Sequence, residues 1–451
     1  NSSRKDISMD YHTKKLLGLT DENIIFPTNW LSEKKEGGIT SYVIHGRLDY
    51  TPTCCTKCGV KNEGQVIKYG THQTTIQLLP IHSRKTILKL KKTRFLCKEC
   101  GATFSAETSV VDRNCSISVD LKRKIMAELA TNSSRKDIAF RYFVSDVTIL
   151  RIMKAAVKNV KVRFDYLPSV HCFDEFKAMK SCVGKMSFIF MDGQTNQILG
   201  LLESRKLAYL RTYFSRYTRQ ARENVQYIVM DMNAPYFELA KSIFPHAQIV
   251  TDRFHIIQHI HRALNHLRIQ IMNIYRKNDR LKYKRFKRYW KLFLKDSYLL
   301  DSSRYRYDYS FKRPMTEKAI VDELLSYDST LKLAYDTCQL LLYHYKQKET
   351  NDFFEVVNTL DTQLPEWFRK KLTFLNKYRK GIKNAFQTPY SNGALEGTNN
   401  KIKVIKRVAY GYRNFLHFRD RIYLIQGLVF QDQSKTKKNQ SKRISASIDS
   451  R

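Results

Sequence analysis

Glycine and proline are scarce in this chain, at 16 and 9 of 451 residues. Both interrupt helices, so their scarcity favours a helix-rich fold with short connections. Acidic residues are also few, 42 against 80 lysines and arginines. No apolar run approaches the roughly 18 residues of a membrane-spanning helix, which excludes a membrane protein. The opening segment, Asn1-Ser-Ser-Arg-Lys-Asp-Ile-Ser8, is polar, has no h-region, and is not expected to act as a secretory signal. With 27% charged and 42% hydrophobic residues, the composition is that of a folded chain rather than a disordered one. The length suggests two to four domains, each able to bury a core. Nine cysteines without an export signal point to metal binding and buried thiols in a reducing compartment.

What is present in excess is positive charge. The net charge is +38, beyond what solubility needs, and it favours a polyanionic partner. Nucleic acid is the foremost candidate; an anionic membrane surface and ribosomal RNA are the others. Residues 1–7 and 132–138 carry the same heptapeptide, NSSRKDI. The identity ends there, so it is not a structural repeat.

Along the chain the hydrophobic period changes several times. Strand-like runs occur at Thr40–Ile44, then at Gln65–Tyr69, Thr74–Leu79 and Lys85–Leu90. From Ser116 to about Val160 the period is helical. Apolar strand-like runs return at Val170–Phe173, Met186–Met191, Ile198–Glu203, Val225–Met230 and Gln248–Val250, with helical patterns between the last three. Residues 256–386 are helical almost throughout, and a last helix follows near Gly393. The tail from Gln431 is polar and basic and is expected to be disordered.

Two C-x-x-C knuckles, Cys55-Thr-Lys-Cys58-Gly and Cys97-Lys-Glu-Cys100-Gly, offer four thiolates for a tetrahedral structural zinc. The intervening segment has room for a three-stranded sheet. Cys54 is an alternative to Cys55, although its spacing to Cys58 is one residue too long. Four buried cysteines without metal are the plainer alternative. Beyond the knuckles, the helical segments Val119–Leu129, Ser134–Tyr142 and Asp146–Val157 form a three-helix unit of helix-turn-helix type. Its last helix would enter the major groove with Arg151 and Lys154 on its exposed side, although a plain helical bundle has the same pattern.

The acids stand out against this basic background. His171-Cys-Phe-Asp174-Glu175-Phe176 sets an acid in an apolar strand, and Tyr227-Ile-Val-Met-Asp231 is a buried strand ending in one. Asp192 also follows an apolar run, but Gly193, Gln194 and Asn196 after it read as a hairpin turn. The order strand-strand-strand-helix-strand-helix-strand is that of the ribonuclease-H-like fold, with Asp174 on its first strand and Asp231 at the end of its fourth. In the helix near Gly393, Glu396, Asn399, Asn400, Lys403 and Arg407 fall on one face by their spacing. That face combines an acid with groups suited to phosphates. Three carboxylates can hold two Mg²⁺ or Mn²⁺ ions about 3.5–4 Å apart. Asp252 and His255, in IVTDRFH, are candidates for positions just behind the metals. Arg276–Lys295 carries ten basic residues and one acid, interleaved with Tyr283, Phe286, Tyr289, Trp290 and Phe293. Most of these aromatics are expected in the core, some on an unpaired base.

Taken together, these motifs resemble the ISL-three family of bacterial insertion-sequence transposases, DDE type, from about Met9 to about Gln431. The resemblance is carried by the two knuckles, FDEF around Asp174, MDGQTNQILGLLESRK, VMDMNAPY around Asp231, IVTDRFHIIQHI and NGALEGTNNKIKVIKRVAYGYRNFLHFRDRI. It implies a ribonuclease-H-like core interrupted by an all-helical insertion, with Asp174, Asp231 and Glu396 catalytic. It divides the chain into a zinc-binding domain (9–115), a helix-turn-helix (116–165), a catalytic core in two parts (166–255 and 389–431), an all-helical insertion (256–388) and a basic tail (432–451). The implied activity is Mg²⁺-dependent cleavage and strand transfer at inverted-repeat ends. The implied partners are double-stranded DNA and a second copy of the chain, and the implied compartment is the bacterial cytoplasm, at the nucleoid. A DNA-binding regulator that no longer cleaves and a nuclease of ribonuclease-H type remain as other readings.

Overall fold

In a computed structural model, the described residues are 9–427 apart from 159, 161 and 183. The expectations for residues 1–8 and for the basic tail lie outside them. Contact density divides the chain into two compact units, residues 1–161 with 402–451, and residues 162–401.

The first unit opens with a short helix, α1 (Tyr11–Leu16), and a six-stranded sheet. Its strands are β1 (Ile24–Ile25), β2 (Leu31–Glu36), β3 (Ile39–Leu48), β4 (Val66–Gln77), β5 (Thr86–Cys97) and β6 (Thr103–Ser105). β5 is central, parallel to β3 and antiparallel to β4 and β6. Leu88, Leu90, Phe95 and Cys97 of β5 are buried with Ile44, Leu48 and Ile76. Two of the three strand runs expected between the knuckles are one strand. β4 passes through both, and its register slips between Lys68 and Thr71. Gly70, at φ +84°, supplies the left-handed backbone that this bulge requires.

Three helices follow: α2 (Val119–Leu129), α3 (Arg135–Arg141) and α4 (Asp146–Val157). Their starts are set by side chains that satisfy otherwise unpaired amides. Ser118 accepts from Leu121 N, Ser134 and Asp137 form a capping box, and Ser145 accepts from Thr148 N. Phe143 takes a positive φ in the α3–α4 turn.

The second unit is built on a five-stranded sheet in the order β11-β10-β7-β8-β9. These strands are β7 (Val170–Lys177), β8 (Met186–Asp192), β9 (Ile198–Leu202), β10 (Tyr227–Met230) and β11 (Gln248–Thr251). β7, β8 and β9 form an antiparallel meander, and β10 runs parallel to both β7 and β11. The helices α5 (Leu207–Phe214), α6 (Arg219–Glu223) and α7 (Ala234–Ile243) connect the later strands. Phe173, Phe188, Phe190, Phe214 and Phe244 pack ring against ring in the core.

The insertion comprises α8 (Arg253–Asn278), α9 (Arg280–Arg288), α10 (Glu317–Leu325), α11 (Ser329–Gln347), α12 (Thr350–Asn358), α13 (Glu366–Thr373) and α14 (Arg379–Gln387). It is not all-helical. Between α9 and α10 lies a β-hairpin, β12 (Arg306–Asp308) and β13 (Arg313–Met315). α14 returns the chain to the sheet, where Gly381 lies so close to Thr251 that an added Cβ would meet its Oγ1 at 2.4 Å.

The last helices are α15 (Gly393–Val408) and α16 (Phe415–Ile425). α16 packs on α2 and α4. By contact density, the described residues from 402 on group with the first unit. The reason is packing: Phe418, Ile422 and Leu424 of α16 are buried in the first unit.

Candidate active site and zinc centre

The four knuckle cysteines come together. Cys55 Sγ lies 3.8 Å from Cys100 Sγ, and Cys58 Sγ 3.8 Å from Cys97 Sγ. All four sulfurs lie within 4.8 Å of one another. A tetrahedron of sulfurs about 2.3 Å from zinc has edges of about 3.8 Å, so the set fits that ion. Backbone amides of Cys58 and Lys57 pull the Cys55 thiol down, towards the thiolate that ligation needs, while its three sulfur neighbours push the Cys58 thiol up, the crowding that a cation would offset. The Lys57 amide stands 3.4 Å from the Cys55 sulfur. Cys54 is exposed and outside the cluster.

In the second unit, β7 and β10 pair in parallel with Cys172 opposite Val229. Continued by two residues, that register brings Asp174 on β7 level with Asp231, directly after the end of β10. They line one cavity of about 230 Å³ with Glu175, Arg205, Asn233 and Tyr236, room for several waters at roughly 30 Å³ each. Burial, with a further push from Asp231, raises the Asp174 carboxyl to about 6. The Glu175 amide donates to Asp174 Oδ1 at 2.7 Å, and Asn399 Nδ2 donates to Oδ2 at 2.6 Å.

Asp231 also meets the start of α8. His255 Nε2 is 2.8 Å from Asp231 Oδ1 and 3.9 Å from Asp252 Oδ2. Potential ligand atoms of Asp231, Asp252 and His255 all lie within 4.8 Å of one another. Contact with Asp231 raises the His255 pKa, assisted by Asp252 and Asp174. Asp252 is raised by burial and by the charges of Asp231 and Glu396. The pair expected behind the metals is thus in direct reach of an acid expected to hold them.

Glu396 stands exposed in the first turn of α15 and is not part of that three-residue group. Asn392, which the sequence reading passed over, fixes where this helix begins. Its amide N–H donates to Asp252 Oδ1 at 3.1 Å, and its Nδ2 donates to Phe173 O at 3.0 Å. Its carbonyl accepts from Glu396 N at 2.9 Å. One asparagine therefore ties the residue before Asp174, Asp252 and the helix of Glu396 together. Glu175 was also missed; it is held by the Tyr236 hydroxyl and by Arg205 Nη1 at 2.5 Å.

The exposed face expected on α15 holds for Asn400, Lys403 and Arg407, but not for Asn399. Asn399 is buried, with its amide on Asp174 and on Glu175 O. It follows Leu395 by four residues and precedes Ile402 by three, so it shares the face of two core residues. Arg151 and Lys154 are both exposed on α4. Of the aromatics in Arg276–Lys295, Phe286 and Phe293 are in the core, Tyr283 and Tyr289 are half-buried, and Trp290 is exposed.

Residues 172–422 match a family model described as transposase, of the DDE type. Residues 51–100 match the zinc-finger of transposases IS204, IS1001, IS1096 and IS1165. The first match covers more than half of the sequence, and the chain belongs to the ISL3 family of transposases. The transposase for insertion sequence element IS1001 of Bordetella parapertussis is 24% identical over 382 residues, 81% of this chain and 86% of that protein. A Lactococcus lactis protein titled "ATP-dependent protease" is 42% identical over 118 residues, 26% of this chain. This chain spans only 38% of that protein's length. The family model and the long Bordetella match carry the assignment.

Proposed function

We propose that the chain binds the inverted-repeat ends of an insertion sequence, cleaves the DNA there and joins the freed 3′-OH to a new phosphate. The observation that carries this reading is that Asp174 on β7 and Asp231, directly after the neighbouring parallel strand β10, line one cavity. The sheet order supports a ribonuclease-H-like core, and Glu396, on the helix that Asn392 starts, completes a DDE set.

The donors suit Mg²⁺ or Mn²⁺, because carboxylate oxygens prefer hard cations. Burial, with repulsion from Asp231, raises Asp174, and a bound cation would offset both by favouring the carboxylate. When bound, such ions activate the attacking oxygen and offset charge on the leaving one. The chain's own residues set the geometry. Asn399 and the Glu175 amide orient the Asp174 carboxylate, and His255 orients Asp231. Asn392 sets the start of the helix of Glu396.

The zinc module and the helix-turn-helix of α3 and α4 would hold the end, with Arg151 and Lys154 towards the bases. Asn400, Lys403 and Arg407 would follow the phosphates near Glu396. Pairing of two ends calls for two copies of the chain on DNA. No helix among the described residues is long and apolar enough to cross a membrane; a DNA substrate places the protein's work in the cytoplasm, at the nucleoid. The test is incubation of purified protein with end duplex and Mg²⁺ or Mn²⁺. Nicked and joined products support the reading, and specific binding without any cleavage would replace it with that of a regulator.

A further inference from the structure

The β12–β13 hairpin presents an unusual surface. Tyr305, Tyr307 and Tyr309 are 68%, 57% and 80% exposed. Tyr307 lies on β12, and Tyr305 and Tyr309 directly flank that strand. The rings of Tyr307 and Tyr309 meet edge to face at 5.3 Å. Arg304, Arg306, Lys312 and Arg313 are exposed on the same segment; Arg313 is shared with Glu323 at 2.9 Å.

The hairpin is firmly seated on α9. The Tyr289 hydroxyl donates to Asp308 Oδ2. Arg285 donates to Ser310 O at 2.9 and 3.2 Å and lies over the Phe311 ring at 4.0 Å. Asp308 Oδ1 caps the turn by accepting from Ser310 N and Phe311 N. Phe311 and Met315 are buried. Asp308 and Phe311 therefore serve as anchors, and the three tyrosines have no part in that anchoring. Exposed rings on a hairpin that also carries exposed cations, seated on α9, suit bases whose faces are free, with phosphates alongside. The net charge of +38 favours the same partner over a protein surface.

We propose that this hairpin stacks unpaired DNA bases on Tyr305, Tyr307 and Tyr309, while Arg304, Arg306 and Lys312 take the neighbouring phosphates. The proposal rests on the reading of the chain as a transposase that binds DNA ends. It names the part of the insertion that holds a strand once its bases are open.

The test uses the full chain and two end duplexes, one blunt and one carrying a short single-stranded tail with 2-aminopurine. Binding is followed by anisotropy, and stacking by the probe's fluorescence. The parent should prefer the tailed duplex and quench the probe. Tyr307→Ala with Tyr309→Ala should lose that preference by about tenfold or more and leave the probe bright. Tyr307→Phe with Tyr309→Phe should keep both, because the ring is retained. Both pairs are exposed, and an unchanged melting temperature checks that the fold is intact. The proposal is overturned if the alanine pair behaves as the parent, or if the phenylalanine pair loses as much as the alanine pair. It is also overturned if the alanine pair changes only the molar mass in light scattering, which would make the patch a protein interface. A parent that binds tailed and blunt duplexes alike sinks the hairpin proposal alone. A parent that binds no end duplex sinks the transposase-end reading instead.

Discussion

At the scale of single residues, Asp174 and Asp192 show how environment assigns roles. Both sit in apolar strands. Asp192 ends β8 and spends its oxygens on the turn, accepting from Gln194 N at 2.9 Å and from the Thr195 hydroxyl at 2.6 Å. Asp174 faces the cavity beside Asp231. Asp174→Asn should lower end cleavage more than about a hundredfold while changing end affinity little, because it removes charge but hardly volume. Asp192→Asn should keep much of the activity. Parallel cleavage and binding assays check this, and the reverse pattern would require a different triad. The raised Asp174 pKa has a consequence for stability. A carboxyl whose folded pKa lies above its unfolded value of about 3.9 binds its proton more tightly when folded. Its contribution is therefore lost as pH rises from about 4 to about 6. In metal-free protein, Asp174→Asn should raise the melting temperature at pH 7.5 and change it little at pH 4. The gain should be at most about 3 kcal/mol, and added Mg²⁺ should stabilise the parent more than the variant.

At the scale of elements, α16 does more than close the chain. Arg421 is 2% exposed, and its guanidinium donates to Thr131 O at 3.0 Å and Ser133 O at 2.5 Å, in the turn before α3. Arg421→Ala would leave two carbonyls without their charged donor, a loss of about 2–4 kcal/mol. Chemical denaturation and hydrogen exchange across residues 130–157 measure it. Equal stability and unchanged exchange in that stretch would show that α16 does not brace these helices. On α4 itself, Arg151→Ala should weaken binding to the cognate end by about 1–3 kcal/mol and relax specificity. Equal binding of cognate and random DNA by parent and variant would remove α4 from the recognition surface.

At the scale of the whole molecule, the zinc module and the charge make separate predictions. Elemental analysis should find one zinc per chain, and Cys58→Ser should lose it along with specific end binding, because so small a core depends on its metal. End affinity should also fall steeply with salt, as expected when many phosphate contacts release counterions. A flat titration between about 50 and 200 mM salt would argue against extensive phosphate contact.

Much of this protein was legible in one dimension because the signals are local. Knuckle spacing marks four thiolates, and Ser118, Ser134 and Ser145 mark helix starts by the amides they cap. Alternating and continuous apolar runs mark the strands on which Asp174 and Asp231 sit. The Tyr305, Tyr307, Tyr309 alternation was also there to be read as a strand, but the helical patterns around it masked three-residue strands. Other features depend on residues far apart in the chain, and local pattern carries no record of distance. Asn392 meets Phe173 and Asp252 across more than a hundred residues of insertion. Asn399 turns to Asp174 because packing of Leu395 and Ile402 sets which side of α15 faces inward. Arg421 reaches the turn before α3 only because α16 buries its apolar side on α2 and α4. Sequence alone determined most of the elements, the zinc-binding residue types and the family. Tertiary packing decided which of those residues share a site, since a contact is specified by the balance of burial over the whole fold and not by the period of any one segment.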